Sequence, residues 1–315
     1  MKRIALLSFA ASMVSFAALI PVVADDAKPV PPDGRNAAKL FAEGNFKEAY
    51  SIYSKLAASP TRDPNLVCED LTKGVQCLKR LDRISEFDAF VEGVVAAHSG
   101  SWRVLRTAAH RYLDTTHEGT MVAGSYERGP HRGQTSTYSY WRDHVRAIQL
   151  LQQALPLVAK DDDKAGAGKF YMDLAAAIMS DRDGSDAWRL QELTDLATLP
   201  EIGGGYYDWR NDVKGAPVDA NGDPVYYQVP KSWQSAANDG QRWRWALMMA
   251  AEADPDIAGS AKLSLASFLR SQFGVQTVAA CGISLGQGGS EAETAAGGAG
   301  VWALSTLGDD ETIAR

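Results

Sequence analysis

Residues 36–60 read NAAKLFAEGNFKEAYSIYSKLAASP, and they state a simple geometric plan. Ala37, Leu40 and Phe41 recur at the spacing that puts apolar side chains on one helical face. Gly44 and Asn45 interrupt that face with the two residue types that most easily adopt a left-handed turn. Ala49, Tyr53 and Leu56 then resume it, and Pro60 stops it by removing a backbone donor. The prediction is two short antiparallel helices, with Ala49 small enough to let their backbones approach.

Working outward, a weaker copy follows at an offset of 38 residues. Asp82, Arg83 and Ile84 stand at the turn, Phe87, Phe90 and Val94 run down the second helix, and the extra length falls in the linker SPTRDPN. Arg146–Leu155, RAIQLLQQAL, places Ala147, Leu151 and Ala154 at second-helix spacing; Asp183–Leu193, DGSDAWRLQEL, repeats a turn followed by Ala187 and Leu190. Self-similarity of this kind predicts a mainly α chain of tetratricopeptide-like antiparallel helix pairs, an α-solenoid or helical array. A non-repetitive bundle needs the same apolar stripes and stays open as an alternative. Pairs are expected over 35–115 and 141–198, with further helices over 236–280, where aromatic residues such as Trp243 and Trp245 read as core.

Two irregular insertions interrupt the pattern. The first, within 116–140, contains GSYERGPHRGQTSTYSYW from Gly124 to Trp141. It reads as a loop, and loops of that length in compact domains are uncommon unless functional or disordered. Arg128, His131, Arg132 and Tyr138 are its candidate partner contacts, with solvated surface as the alternative. The second, over 199–235, contains GAPVDANGDPVYYQVP. Asn221 and Gly222 between Val218 and Val225-Tyr226-Tyr227 predict a short β-hairpin. Asp219, Asn221 and Asp223 resemble the start of a calcium loop, but no Gly follows Asp223 and Pro230 stands where the bidentate Glu belongs.

The ends carry their own signals. Lys2 and Arg3 precede an apolar run from Ile4 to Ile20 and the small residues Val22, Val23 and Ala24, which is the layout of a signal peptide over 1–24 with a linker over 25–34. Export to the periplasm, extracellular space or cell surface follows, with no membrane span after cleavage. Removing that leader moves the formal charge from -7 to -9, an acidity that argues against a nucleic-acid partner. GQGGSEAETAAGGAG within 281–300 reads as a Gly/Ala-rich linker, and 301–315 as the start of a further element cut short.

Catalytic signals are thin. Gly282-Ile283-Ser284-Leu285-Gly286 matches a nucleophile elbow, yet a Gly-rich linker follows instead of a helix, and the last histidine, His144, precedes the serine. The five histidines show no zinc-protease spacing, no C-x-x-C occurs, and Asp161-Asp162-Asp163 reads as a solvated helix junction. Cys68 and Cys77 on one helix lie about 13 Å apart along its axis, too far to bridge, and read as buried structural thiols. No catalytic, cofactor or metal residue is nominated, and the expected partner is a protein or peptide.

RGPHRG at Arg128–Gly133, AWRLQELTDLATLPE at Ala187–Glu201, GAPVDANGDPVYYQVPKSW at Gly215–Trp233, SQFGVQT at Ser271–Thr277 and DDETIAR at the end are further fixed points. With the leading helix pair, these strings resemble the N-terminal region of large exported bacterial alpha-2-macroglobulin-like proteins. The resemblance implies a leading helical module for assembly or docking, in a protein whose later β-sandwich and thioester domains trap proteases. That thioester requires a Cys followed two residues later by Glu and then Gln, a context none of the three cysteines has. No functional residue transfers. A stand-alone scaffold is the alternative, and a serine hydrolase using Ser284 a remote one.

Overall fold

The computed structural model describes residues 34–129, 135–180, 182, 190–203 and 228–273. Among them the chain is mainly helical, with a small three-stranded antiparallel sheet. The expected signal peptide over 1–24, His131, Arg132, the hairpin expected around Asn221, the Gly/Ala-rich stretch and the GISLG motif lie outside the described residues.

The quoted stretch forms α1 (Gly34–Ala42) and α2 (Phe46–Ala57), joined at Gly44 with φ 82°. Ala37 and Ala49 are both fully buried at their contact, sealed by Tyr53, Leu40 and Phe41. Next come α3 (Pro64–Arg80), a 3₁₀ turn at Ile84–Glu86 and α4 (Phe87–Ala97). Asp63 starts α3 by accepting the backbone N–H of Asn65 at 2.9 Å, with Pro64 at the first helical position.

The two turns close in the same way. Asn45 N–H donates to Leu40 O at 2.8 Å, and Arg83 N–H donates to Leu78 O at 2.9 Å. Both bonds reach back five residues past a left-handed residue, Gly44 in one and Asp82 at φ 54° in the other. Donor, acceptor and left-handed residue all repeat at the offset of 38. Sequence similarity at that offset therefore has a backbone counterpart. The packing differs in detail: in the second pair the small residue is Gly74, where a Cβ would come within 2.5 Å of the Phe90 ring.

The chain continues as α5 (Trp102–Leu113), β1 (Glu118–Val122), β2 (Ser125–Arg128), β3 (Ser136–Tyr138), α6 (Tyr140–Val158), α7 (Lys164–Met179), α8 (Asp239–Ala253) and α9 (Ala258–Phe273). Consecutive helices pack from α5 to α9, and α3 packs on α5. Ala147, Leu151 and Ala154 are buried in α6 as their spacing requires. Trp243 and Trp245 are buried too, on different neighbours: Trp243 meets Phe268 of α9, and Trp245 meets Tyr171 of α7. One apolar core runs from Ala57 to Phe268.

Several expectations are corrected. The stretch read as a loop over 116–140 carries the sheet, ordered β2-β1-β3, with Thr120 opposite Glu127 and Gly119 opposite Thr137. Its tight turn is Ala123-Gly124, both at positive φ, which is the geometry a two-residue hairpin needs. Of the fourth expected element, Asp183–Leu193, the described residues are 190–193, with Leu190 buried, and Ala187 lies outside them; residues 193–198, expected within the helix pairs, are not helical. At the solvated junction of 161–163, Asp161 and Asp163 also tie helices together, while Asp162 is exposed. Asp161 accepts from Trp102 Nε1 at 2.7 Å and Arg103 Nη1 at 2.8 Å, while Asp163 caps α7 through Gly166 N–H at 2.8 Å. Cys77 is buried and Cys68 half-buried, both free, and burial pushes the Cys77 thiol up to about 11.

Candidate functional site

Of the two expected contact residues that are described, Arg128 and Tyr138, Arg128 organises a site, and it does so facing inward. Its side chain is 1% exposed, which corrects both readings of it, as a partner contact and as solvated surface. β2 ends there, and the pleat aims the guanidinium between α4 and α6. Nη1 donates to Asp143 Oδ2 at 2.7 Å and Thr116 O at 2.7 Å; Nη2 donates to Asp143 Oδ1 at 2.9 Å and Asp88 Oδ1 at 2.8 Å; Nε donates to Asp88 Oδ2 at 3.0 Å. The cation also lies over the rings of Phe87 and Tyr126, at 5.0 and 5.5 Å. A guanidinium, planar and bidentate, suits two carboxylates arriving from two helices as an ammonium would not.

Asp143 collects the rest of the cluster. His117 Nδ1 stands 2.7 Å from Oδ2, and Ser139 Oγ donates to the same oxygen at 2.7 Å. Burial alone would raise its pKa; the hydrogen bonds from His117 and Arg128 outweigh that and hold the carboxyl below its ordinary range. Arg128 shifts the opposite way: burial disfavours the cation, and the bonds to Asp143 and Asp88 reverse the balance. Removing one partner of so buried a pair typically costs about 3–5 kcal/mol, because the other charge is left uncompensated.

Ser139, His117 and Asp143 are the residue types of an acyl-transfer triad, so their arrangement has to be tested. The serine hydroxyl donates to the aspartate, and the histidine is tied to that same oxygen. Ser139 Oγ bonds to Asp143, to the His117 backbone carbonyl and to Arg128 Nη1 at 3.0 Å, and not to the imidazole. A nucleophile needs the base to take its proton; here both act as props for one buried carboxylate.

Beside this cluster lies an open cavity of about 770 Å³ between the sheet and α4, α5 and α6. Glu92 and Arg146 form its back wall: Arg146 Nη2 and Nε donate to the two Glu92 oxygens at 2.7 and 2.8 Å, and Tyr112 Oη donates to Glu92 at 2.8 Å. Burial, then the Glu92 charge, pushes the Tyr112 phenol far up. Met121, 46% exposed, stands at the mouth. Arg128 and Arg146 are thus matched by carboxylates, while Arg142, also in the lining, donates Nη1 to Pro200 O at 3.1 Å.

Behind the cluster His144 is fully buried between Tyr140 and Trp141, stacked on the latter at 5.1 Å. Burial first, then Arg182 and His117, push its pKa down to about 3, so it is neutral. Tyr138 sits half-buried in β3. Among the described residues no group of three or more His, Cys, Asp and Glu side chains could hold a metal ion, and no helix is long and apolar enough to cross a membrane.

Asp88, Glu92, His117, Asp143 and Arg146 were not legible as a site in the sequence. The one available hint was the i, i+4 pair Asp88 and Glu92 inside the otherwise apolar α4, which places two carboxylates on one stripe.

Comparison with known proteins returns no match: no protein family, no curated protein and no solved structure resembles the chain closely enough to identify it.

Proposed function

We propose that the chain is a non-catalytic, exported scaffold of tetratricopeptide-like helix pairs that docks a protein or peptide along one row of its helices. The supporting observation is contact between alternate helices. Lys73 of α3 lies over Phe41 of α1 at 4.4 Å; α3 packs on α5; Trp102 of α5 meets Phe170 of α7 at 5.9 Å; Met172 of α7 and Phe268 of α9 line one groove. Where alternate helices touch, as α1 and α3, α3 and α5, and α5 and α7 do, they line up into a wall, and such walls carry the binding surface of repeat arrays.

The wall has a recess of about 740 Å³ between α1, α3 and α5, edged by Arg35, Ala38, Leu66, Glu69, Lys73 and Thr107. Leu66 is 43% exposed there, an apolar contact beside charges of both signs. A peptide needs that combination of apolar anchor and polar rim.

Selecting peptides from a displayed library against residues 25–315 tests this. Leu66→Glu is expected to weaken a selected peptide at least tenfold, while Met121→Glu, on the sheet, leaves it unchanged. Equal loss in both variants, or none in Leu66→Glu, contradicts the reading. The resemblance to alpha-2-macroglobulin-like proteins supports a narrower form, in which the scaffold is the leading module of a protease inhibitor in the periplasm or at the cell surface. The two forms differ only in what lies downstream, and both require the same groove result.

A further inference from the structure

The insertion between α5 and α6 is attached differently from everything else described. Between Leu113 and Val145 no described side chain belongs to either apolar cluster, whereas Thr115, Thr120, Arg128, Ser139, Asp143 and His144 are all buried polar residues. The sheet leaves and rejoins the helical frame at one neck, where Ser139 N–H donates to His117 O at 2.8 Å and Tyr126 Oη donates to that same carbonyl at 2.8 Å. Tyr126 and Arg128 of β2 share one face with Gly119 and Met121 of β1, the face that lines the cavity, while Thr120 and Glu127 stand on the other.

We propose that the sheet β1–β3 is a lid that opens as one cooperative unit about the His117–Ser139 neck, latched by the Arg128 guanidinium on Asp88 and Asp143. Elements that bury little apolar surface open locally at far lower free energy than the core they rest on. Here that contrast is sharp, because the frame beneath is continuous from α2 to α9. The latch is asymmetric: Asp143 is 3% exposed, Asp88 44%. Water reaches the Asp88 arm first, so opening starts on the α4 side. What opening uncovers is the wall of the cavity, with Glu92, Tyr112 and Arg146.

Hydrogen–deuterium exchange on the chain from residue 25 to 315 tests the lid. In Arg128→Gln, peptides covering Glu118–Arg128 and Ser136–Tyr138 are expected to exchange at least tenfold faster, with α2, α3, α7 and α8 at wild-type rates. Asp88→Asn, which leaves the Asp143 arm intact, is expected to give a smaller acceleration, about two- to tenfold, confined to the same peptides. Unchanged sheet exchange in both variants overturns the proposal. So does equal acceleration of sheet and helices, or an Arg128→Gln chain that fails to fold, since losing a separable lid leaves the frame standing.

Discussion

Ala49 has no exposed surface, and its methyl group fills the closest approach of α1 and α2. Ala49→Leu forces three extra carbons into that contact and is expected to destabilise the chain by about 1–3 kcal/mol; denaturant melting reads it, and a neutral result counts against the packing described. That residue was legible because its role is local: a small side chain one helical turn past a Gly-Asn break has few other meanings. Arg128 was not legible for the opposite reason. Its neighbours in sequence, Gly129 on one side and Glu127 on the other, read as surface, and the carboxylates that bury it stand 40 and 15 residues away. Sequence spacing carries no trace of a pairing made by tertiary folding.

At the scale of elements, the long helices follow from apolar periodicity, while the strands were hidden by their brevity. β1 to β3 run three to five residues each, and the hairpin turn uses Ala123 at φ 49° where Asn or Gly is the usual signal. α6 is where this element chemistry reaches stability. His144 within it has a folded pKa of about 3, below the unfolded value of about 6.5. Between those values the unfolded chain binds more protons than the folded one, so stability present above pH 6.5 is lost as pH falls. The loss by pH 5 is expected to be about 2 kcal/mol from this group. His144→Phe keeps the stack on Trp141 without the titrating ring, and thermal melts of the variant are expected to change less between pH 7 and 5 than those of the wild type. An identical pH slope excludes His144 as the cause. Asp143, held below the ordinary carboxyl range, adds its own loss only at lower pH.

For the whole molecule, the helical class was legible and so was the first pair with its turn; the neighbours of each pair were not. Apolar stripes say that a helix face is covered, and leave open what covers it. That distinction separates an array of pairs from an irregular bundle, and the alternate-helix contacts bear on it most directly. The α5 and α7 rows meet through Trp102 and Phe170, with Arg106 and His110 of α5 both on Asp173 of α7. The direct measurement is a nuclear Overhauser spectrum of the folded chain with assigned aromatic rings. Cross-peaks between the Trp102 indole and the Phe170 ring are the predicted result. Their absence, with α5 to α6 cross-peaks intact, would contradict the paired array and the binding wall that depends on it.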